Sequence, residues 1–455
     1  MFQSSTYKSR RETLKKEMGS GLLLFLGNDD MGLHYADNAF RYRQDSTFLY
    51  YFGISSAGLS AVIDIDNDTT ILFGDELTMD HIIWMGVQPT LVDKASQVGI
   101  TDVRPSKELS NYLAKNKRQV IHHLPAYRAE HELKFLALLN EQPGSQDPSI
   151  PLIQAIVKQR NIKTSEEIVE IEKACNITAD MHIAATKAIS SDLYEYEVAA
   201  LIEYTAAKNN AELSFATIAS INGQTLHNHY HGNKCKDGRL FLIDAGAEVP
   251  SGYAGDMSST VPVSKHFTAK QRAVYEIQNR MHLAAVAGIK PGLPFTELHN
   301  IAMRELAEGM KELGIMKGNI DEAVRVGAHA LFCPHGLGHM MGLDVHDMEN
   351  FGEQWVGYDG KPKSTQFGRA SLRLGQPLKP GFVHTIEPGI YFIPDLIDKW
   401  KGEHLHTDFI NYDELEKYRD FGGIRNEEDY LVTETGGKRL GKKIPLTPEE
   451  VEALR

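Results

Sequence analysis

Residues 239–262 read RLFLIDAGAEVPSGYAGDMSSTVP. The run Phe241-Leu242-Ile243 has the character of a buried strand and ends in Asp244; Asp256 follows Gly255, immediately before a second β-rich run. An isolated carboxylate buried at the end of an apolar strand costs several kcal/mol unless it is paired or coordinated. Something cationic therefore belongs beside Asp244. Taken singly, Asp244 could instead end a strand by bonding turn amides, and Asp256 could sit in a surface turn.

Three more segments carry ligand-type residues in similar settings. In FVHTIEPGIYFI (382–393), Glu387 follows a β-rich run and is locked into a strand-to-turn corner by Pro388-Gly389. In PHGLGHMMGLDVHD (334–347), His335, His339 and His346 fall within twelve positions among glycines that permit close backbone approach. His346 is followed by Asp347, a candidate partner for orienting its imidazole. In GGIRNEEDYLVT (422–433), Arg425, Glu427, Glu428 and Asp429 precede the strand-like Tyr430-Leu431-Val432-Thr433. Such a charge run is usually a solvated face, but strand alternation points alternate members inward, so at least one carboxylate faces the core. Four carboxylates with one imidazole form an oxygen-dominated donor set that suits two Mn²⁺, Co²⁺ or similar ions better than one structural zinc. Two such ions about 3.5–4 Å apart lower the pKa of a shared water and polarise a carbonyl, for which amide hydrolysis is the natural use.

Around this centre the chain mixes helices and strands without regular alternation, which favours an α+β fold. The first part reads as alternating strands and helices over GSGLLLFLGN, TFLYYFGI and LSAVIDIDNDTTILFG, the last a hairpin-like pair around Asp66-Asn67-Asp68. The text changes near residues 155–170, where Thr164 or Ser165 caps a helix carrying Ile168, Ile171, Ala174 and Ile177 at helical spacing. Domains of 1–160 and 161–455 follow. Further helices are expected over YEYEVAALIEYTAAKNN and from Thr268 to about Lys290, the latter closed by Pro291-Gly292. Residues 350–374 and 395–422 have weak periodicity and read as long excursions.

The bulk numbers limit the function classes. At 455 residues the chain exceeds what one core usually organises. Its 48 basic and 61 acidic side chains leave −13, which works against wrapping nucleic acid. Cys175, Cys235 and Cys333 are three in number and unpaired in spacing, as in a reducing compartment. Neither a secretory apolar region nor a membrane-length stretch is legible, so a cytoplasmic location without membrane partners is expected.

Read together and in order, LIDAG, YAGD, HGLGHMMGLDVHD, TIEPGIY and GGIRNEED resemble the aminopeptidase P and prolidase group, the proline-directed branch of the pita-bread metallopeptidases. FRYRQDSTFLYYFG resembles the smaller α/β domain that precedes the catalytic domain in that group. The resemblance implies that Asp244 chelates one ion, Asp256 and Glu427 bridge both, and His339 with Glu387 completes the second ion's shell. It implies that Glu387 is the general base, that His335 and His346 contact substrate, and that His227, in TLHNHYHG, is a further active-site histidine. Arg373, in RASLRLGQPLKPGFVHTIEPGIYFI, matches a carboxylate-gripping arginine of prolidase, and a guanidinium fork suits that task. Two divalent ions, Mn²⁺ first with Co²⁺ or Zn²⁺ as alternatives, a peptide or dipeptide with proline second, and a homodimer or higher oligomer complete the expectation. A methionine-aminopeptidase-like exopeptidase and a catalytically silent pita-bread binding module are the alternatives. One extra residue at Val249-Pro250-Ser251-Gly252-Tyr253 departs from the family pattern, and a hairpin tip could absorb it.

Overall fold

A computed structural model describes residues 2–140 and 147–455, divided into two compact units. One unit comprises Met1–Arg160 with Asn350–Gly352, the other Asn161–Glu349 with Glu353–Arg455. Among the described residues, no helix is long and apolar enough to cross a membrane.

The first unit is built on a five-stranded sheet in the order Asp102–Arg104, Thr69–Phe73, Ser60–Asp64, Leu22–Leu26, Ile121–His122. The two inner pairings are antiparallel and the two edge pairings parallel. All of Leu22–Leu26 is buried, the signature of a strand covered on both faces. Leu22, Leu24 and Leu26 share one face with Val62, Ile71 and Phe73, and Leu109, Leu113 and Phe135 of the covering helices pack there. The expected hairpin forms around Asp66-Asn67-Asp68; Asp64 accepts from the Asn67 amide at 3.1 Å and Asp68 takes the left-handed conformation. TFLYYFGI is helical over Ser46–Phe52, because Asp45 caps it by accepting from the Phe48 amide at 2.8 Å and Gly53 ends it in a left-handed turn.

In the second unit a pair of helices followed by strands occurs twice. Ser165–Ala188 and Glu195–Lys208 precede Ile218–Ser220, Leu240–Ala245 and Met257–Pro262; Ala269–Gly288 and Phe295–Glu312 precede Val383–Ile386 and Glu428–Val432. Thr164 and Thr268 cap their helices with full capping boxes through Glu167 and Gln271. Leu240–Ala245 is the central strand between Met257–Pro262 and Ile218–Ser220, and Val383–Ile386 pairs antiparallel with Glu428–Val432. The Glu427 amide donates to the Ser258 carbonyl at 3.0 Å, joining the two sheets where their carboxylates lie.

Between the two aspartates the hairpin tip closes on a tight turn. Val249 donates to the Tyr253 carbonyl at 3.0 Å, Gly252 donates back to Val249 at 2.8 Å, and Gly252 has φ of 88°. The reading of 395–422 as an aperiodic excursion is corrected by the helix Pro394–Gly402, which starts at a proline and buries Ile397 and Trp400. Its single apolar pair is too short a repeat to stand out in the sequence. Residues 350–374 hold only short helical turns.

Candidate metal centre

Asp244 is the penultimate residue of its strand, opposite Ser258, and Asp256 immediately precedes the partner strand. Both carboxylates are buried, and Oδ1 of each lies buried without a hydrogen-bond partner. Asp244 Oδ2 accepts from the Arg425 guanidinium at 2.6 Å. His339 follows Gly338, where a Cβ would lie 2.2 Å from the Thr385 carbonyl oxygen, so only glycine lets the histidine loop approach the sheet this closely. His339 Nδ1 meets the Met340 carbonyl at 3.1 Å, a contact that assigns Nδ1 the proton and leaves Nε2 a bare lone pair. That Nε2 lies 3.4 Å from Asp256 Oδ2 and 3.8 Å from Glu387 Oε1. Glu427 Oε2 accepts from the Ser258 hydroxyl at 2.7 Å. Ligand atoms of Asp256, His339 and Glu427 all fall within 4.8 Å of one another.

The electrostatics suit cations. Burial, reinforced by the neighbouring carboxylates, holds the proton affinities of Asp256 and Glu427 well above the carboxylate range. Burial also pushes Glu387 up to about 7, against the opposing pull of Arg425. Burial and then His346 push the basicity of His339 far down. Four carboxylates crowd around the Arg425 guanidinium, with Arg373 on the same cavity, and like charges this close resist ionising together. The orphaned oxygens of Asp244 and Asp256 and the bare His339 Nε2 fit divalent cations.

These groups line one wall of a cavity of about 580 Å³ that also includes His227, His335, His346 and Arg373. Phe215, Ile218, Leu226, Pro334 and Val345 make its apolar side. His335 Nε2 lies 2.9 Å from the Tyr391 hydroxyl, and burial and then Arg425 bring its pKa to about 3. The His339 and His346 rings are 4.0 Å apart, centre to centre. All nine sequence-nominated residues thus reach the same cavity.

One local reading changes and two gain partners. His346 is oriented by Glu349 at its Nδ1, whereas Asp347 pairs with Lys163 at 2.8 Å, because the turn after His346 carries Asp347 to the opposite side. Arg373 is engaged by Glu349 at 3.4 Å and Glu353 at 3.5 Å, with its Nε 3.1 Å from His346 Nδ1. The run 425–429 has no solvated member among Arg425, Glu427, Glu428 and Asp429, because both faces of the strand are covered. Glu428 accepts from the Tyr430 hydroxyl at 2.9 Å on one side, and Asp429 accepts from the Asp256 amide at 3.0 Å on the other. Reading the sequence also missed Arg425 as the counter-ion of Asp244 and Tyr391 as the partner of both His335 and Arg425. The same-face spacing of Arg425 and Glu427 was the available signal.

Residues 169–434 match Metallopeptidase family M24, and residues 7–122 match Aminopeptidase P, N-terminal domain. The chain is 30% identical to Xaa-Pro dipeptidase of Homo sapiens, covering 97% of this chain and 90% of that protein. It is 30% identical to Xaa-Pro aminopeptidase of Escherichia coli (strain K12), covering 98% and 97%. The solved structure of proline aminopeptidase P II from Yersinia pestis superposes with a TM-score of 0.83 at 28% identity, covering 100% of this chain and 99% of that one. Zn-substituted Escherichia coli aminopeptidase P in complex with product gives 0.80 at 28%, covering 100% and 98%.

Proposed function

Because the chain belongs to metallopeptidase family M24, with the pita-bread fold behind an aminopeptidase P N-terminal domain, we propose that it cleaves an N-terminal residue from a following proline, using two divalent cations. The carrying observation is the convergence of Asp256, His339 and Glu427, with Glu387 and Asp244 beside them, around buried carboxylate oxygens that have no partner. The names of the two relatives, one a dipeptidase and one an aminopeptidase, support the Xaa-Pro class over a methionine-aminopeptidase-like one.

In this reading Asp244, Asp256, His339, Glu387 and Glu427 would hold the two cations. When bound, the cations make a water nucleophilic near neutral pH and polarise the scissile carbonyl. A carboxylate-dominated donor set ranks Mn²⁺ first, with Co²⁺ and Zn²⁺ as substitutes. Glu387 takes the proton from the attacking water and returns it to the leaving nitrogen. That return is needed because the nitrogen must leave as a neutral amine, not as an amide anion. His335 and His346 hold the substrate at the scissile bond and stabilise the tetrahedral centre, and His227 stands beside them. The apolar side of the cavity receives the N-terminal side chain and the proline ring.

Arg373 receives the free carboxylate of a dipeptide, in competition with Glu349 and Glu353. We place the protein in the cytoplasm, where its three buried free thiols suit a reducing environment, and read it as a homodimer or higher oligomer. Met79, Ile83, Trp84 and Met85 on one exposed helix of the first unit support the second point, since large exposed apolar patches mark association surfaces. The test compares Gly-Pro with Gly-Pro-Pro in Mn²⁺, after chelator treatment, and for Arg373→Ala. Cleavage of Gly-Pro alone, lost in the variant, establishes a dipeptidase; cleavage of both establishes an aminopeptidase. Cleavage untouched by chelator refutes the metal reading.

A further inference from the structure

We infer that the buried Lys163–Asp347 ion pair is a positioning device that sets how tightly the chain binds its cations, an inference that rests on the proposed metal centre. The two side chains meet at 2.8 Å and are 1% and 2% exposed. Neither lines the cavity, so any effect on the centre passes through other residues.

The pair ties together three segments that carry ligands. The Lys163 amide donates to the Gly381 carbonyl at 2.8 Å, and the Gly381 amide donates to the Val432 carbonyl at 2.9 Å. This fixes Lys163 to the two strands that lead to Glu387 and follow Glu427. Asp347 stands next to His346, and its amide donates to the Met340 carbonyl at 2.9 Å, beside His339. Gly342, within the same loop, accepts from the Ala254 amide at 2.9 Å, two residues before Asp256. A Cβ on Gly342 would lie 2.6 Å from Asp347 Oδ2 and 3.0 Å from Lys163 Cε, so the loop packs directly on the pair.

A buried ion pair adds little net stability over an apolar pair of similar volume, since desolvation offsets most of the attraction. What it supplies is a directional bond of fixed length. Here that bond joins the loop carrying the imidazole ligand to the sheet carrying the glutamate ligands. Outer groups that orient metal ligands typically change affinity 10–100-fold when altered.

The experiment measures Mn²⁺ affinity of the full chain by competition with a chelating indicator, together with the thermal midpoint of the metal-free protein. It compares native protein, Asp347→Asn, and the double variant Lys163→Met/Asp347→Leu, which removes both charges of the pair. The expected result is Mn²⁺ binding about 10–100-fold weaker in both variants, with the double variant's metal-free midpoint near that of native protein. Native affinity in the folded double variant, whatever its midpoint, overturns the inference, because a purely structural role shifts stability alone. Absence of Mn²⁺ binding by native protein overturns the metal centre itself and this inference with it.

Discussion

Glu387→Gln is expected to stabilise the metal-free protein at alkaline pH while removing most of the stabilisation conferred by metal. Burial raises the Glu387 carboxyl from an ordinary 4.5 to about 7. A group whose proton affinity is higher in the folded state contributes stability that is fully present below 4.5 and lost as pH rises through 7. The interval from 4.5 to 7 corresponds to roughly 3 kcal/mol at about 1.4 kcal/mol per pH unit. Spread over a unit of this size, that is a shift of several degrees in thermal midpoint. The amide cannot ionise, so the variant escapes this loss. Chelator-stripped native protein and Glu387→Gln, melted at pH 5 and pH 8, should differ little at pH 5, with the variant higher at pH 8. Saturating Mn²⁺ at pH 8 should reverse the order, because cations neutralise the native carboxylate. A variant that melts below native protein at pH 8 without metal would show that the carboxylates are not in electrostatic conflict, and the argument for a cation site would fail.

Arg425→Ala leaves Asp244 buried without its counter-ion and should cost about 3–5 kcal/mol in the metal-free protein; the loss in thermal midpoint should shrink when Mn²⁺ supplies the missing charge, and an equal loss in both states would be the contrary result. Glu353→Gln releases Arg373 from one of its two carboxylates. It should lower KM for Gly-Pro several-fold and leave the C-terminal amide of the same dipeptide unchanged; equal effects on both would remove Arg373 as the carboxylate receptor. Ile83→Asp places a charge on the exposed apolar helix of the first unit. Sedimentation should then give a single 50.8 kDa species where native protein gives a larger one, and a native species already at that mass would refute the oligomer.

The candidate site residues were legible in the sequence for a local reason. A carboxylate placed after an apolar run, as Asp244 after Phe241–Ile243, is carried into the interior with its strand, and burial without compensation is too costly to be incidental. Capped helices were legible on the same ground, since the Thr164–Glu167 and Thr268–Gln271 boxes are contained in four residues each. Partnerships were not legible. Arg425 reaches Asp244 across 181 positions and Lys163 reaches Asp347 across 184. Asp347 beside His346 looked like its orienting acid because proximity along the chain was the only distance available; the turn sends it to Lys163 and leaves the role to Glu349. Residue type and spacing fix which side chains must be compensated, because that cost depends on the local run. Which group compensates them is decided only where the two sheets and the histidine loop meet, because charges in a low-dielectric interior answer to separation in space, not along the chain.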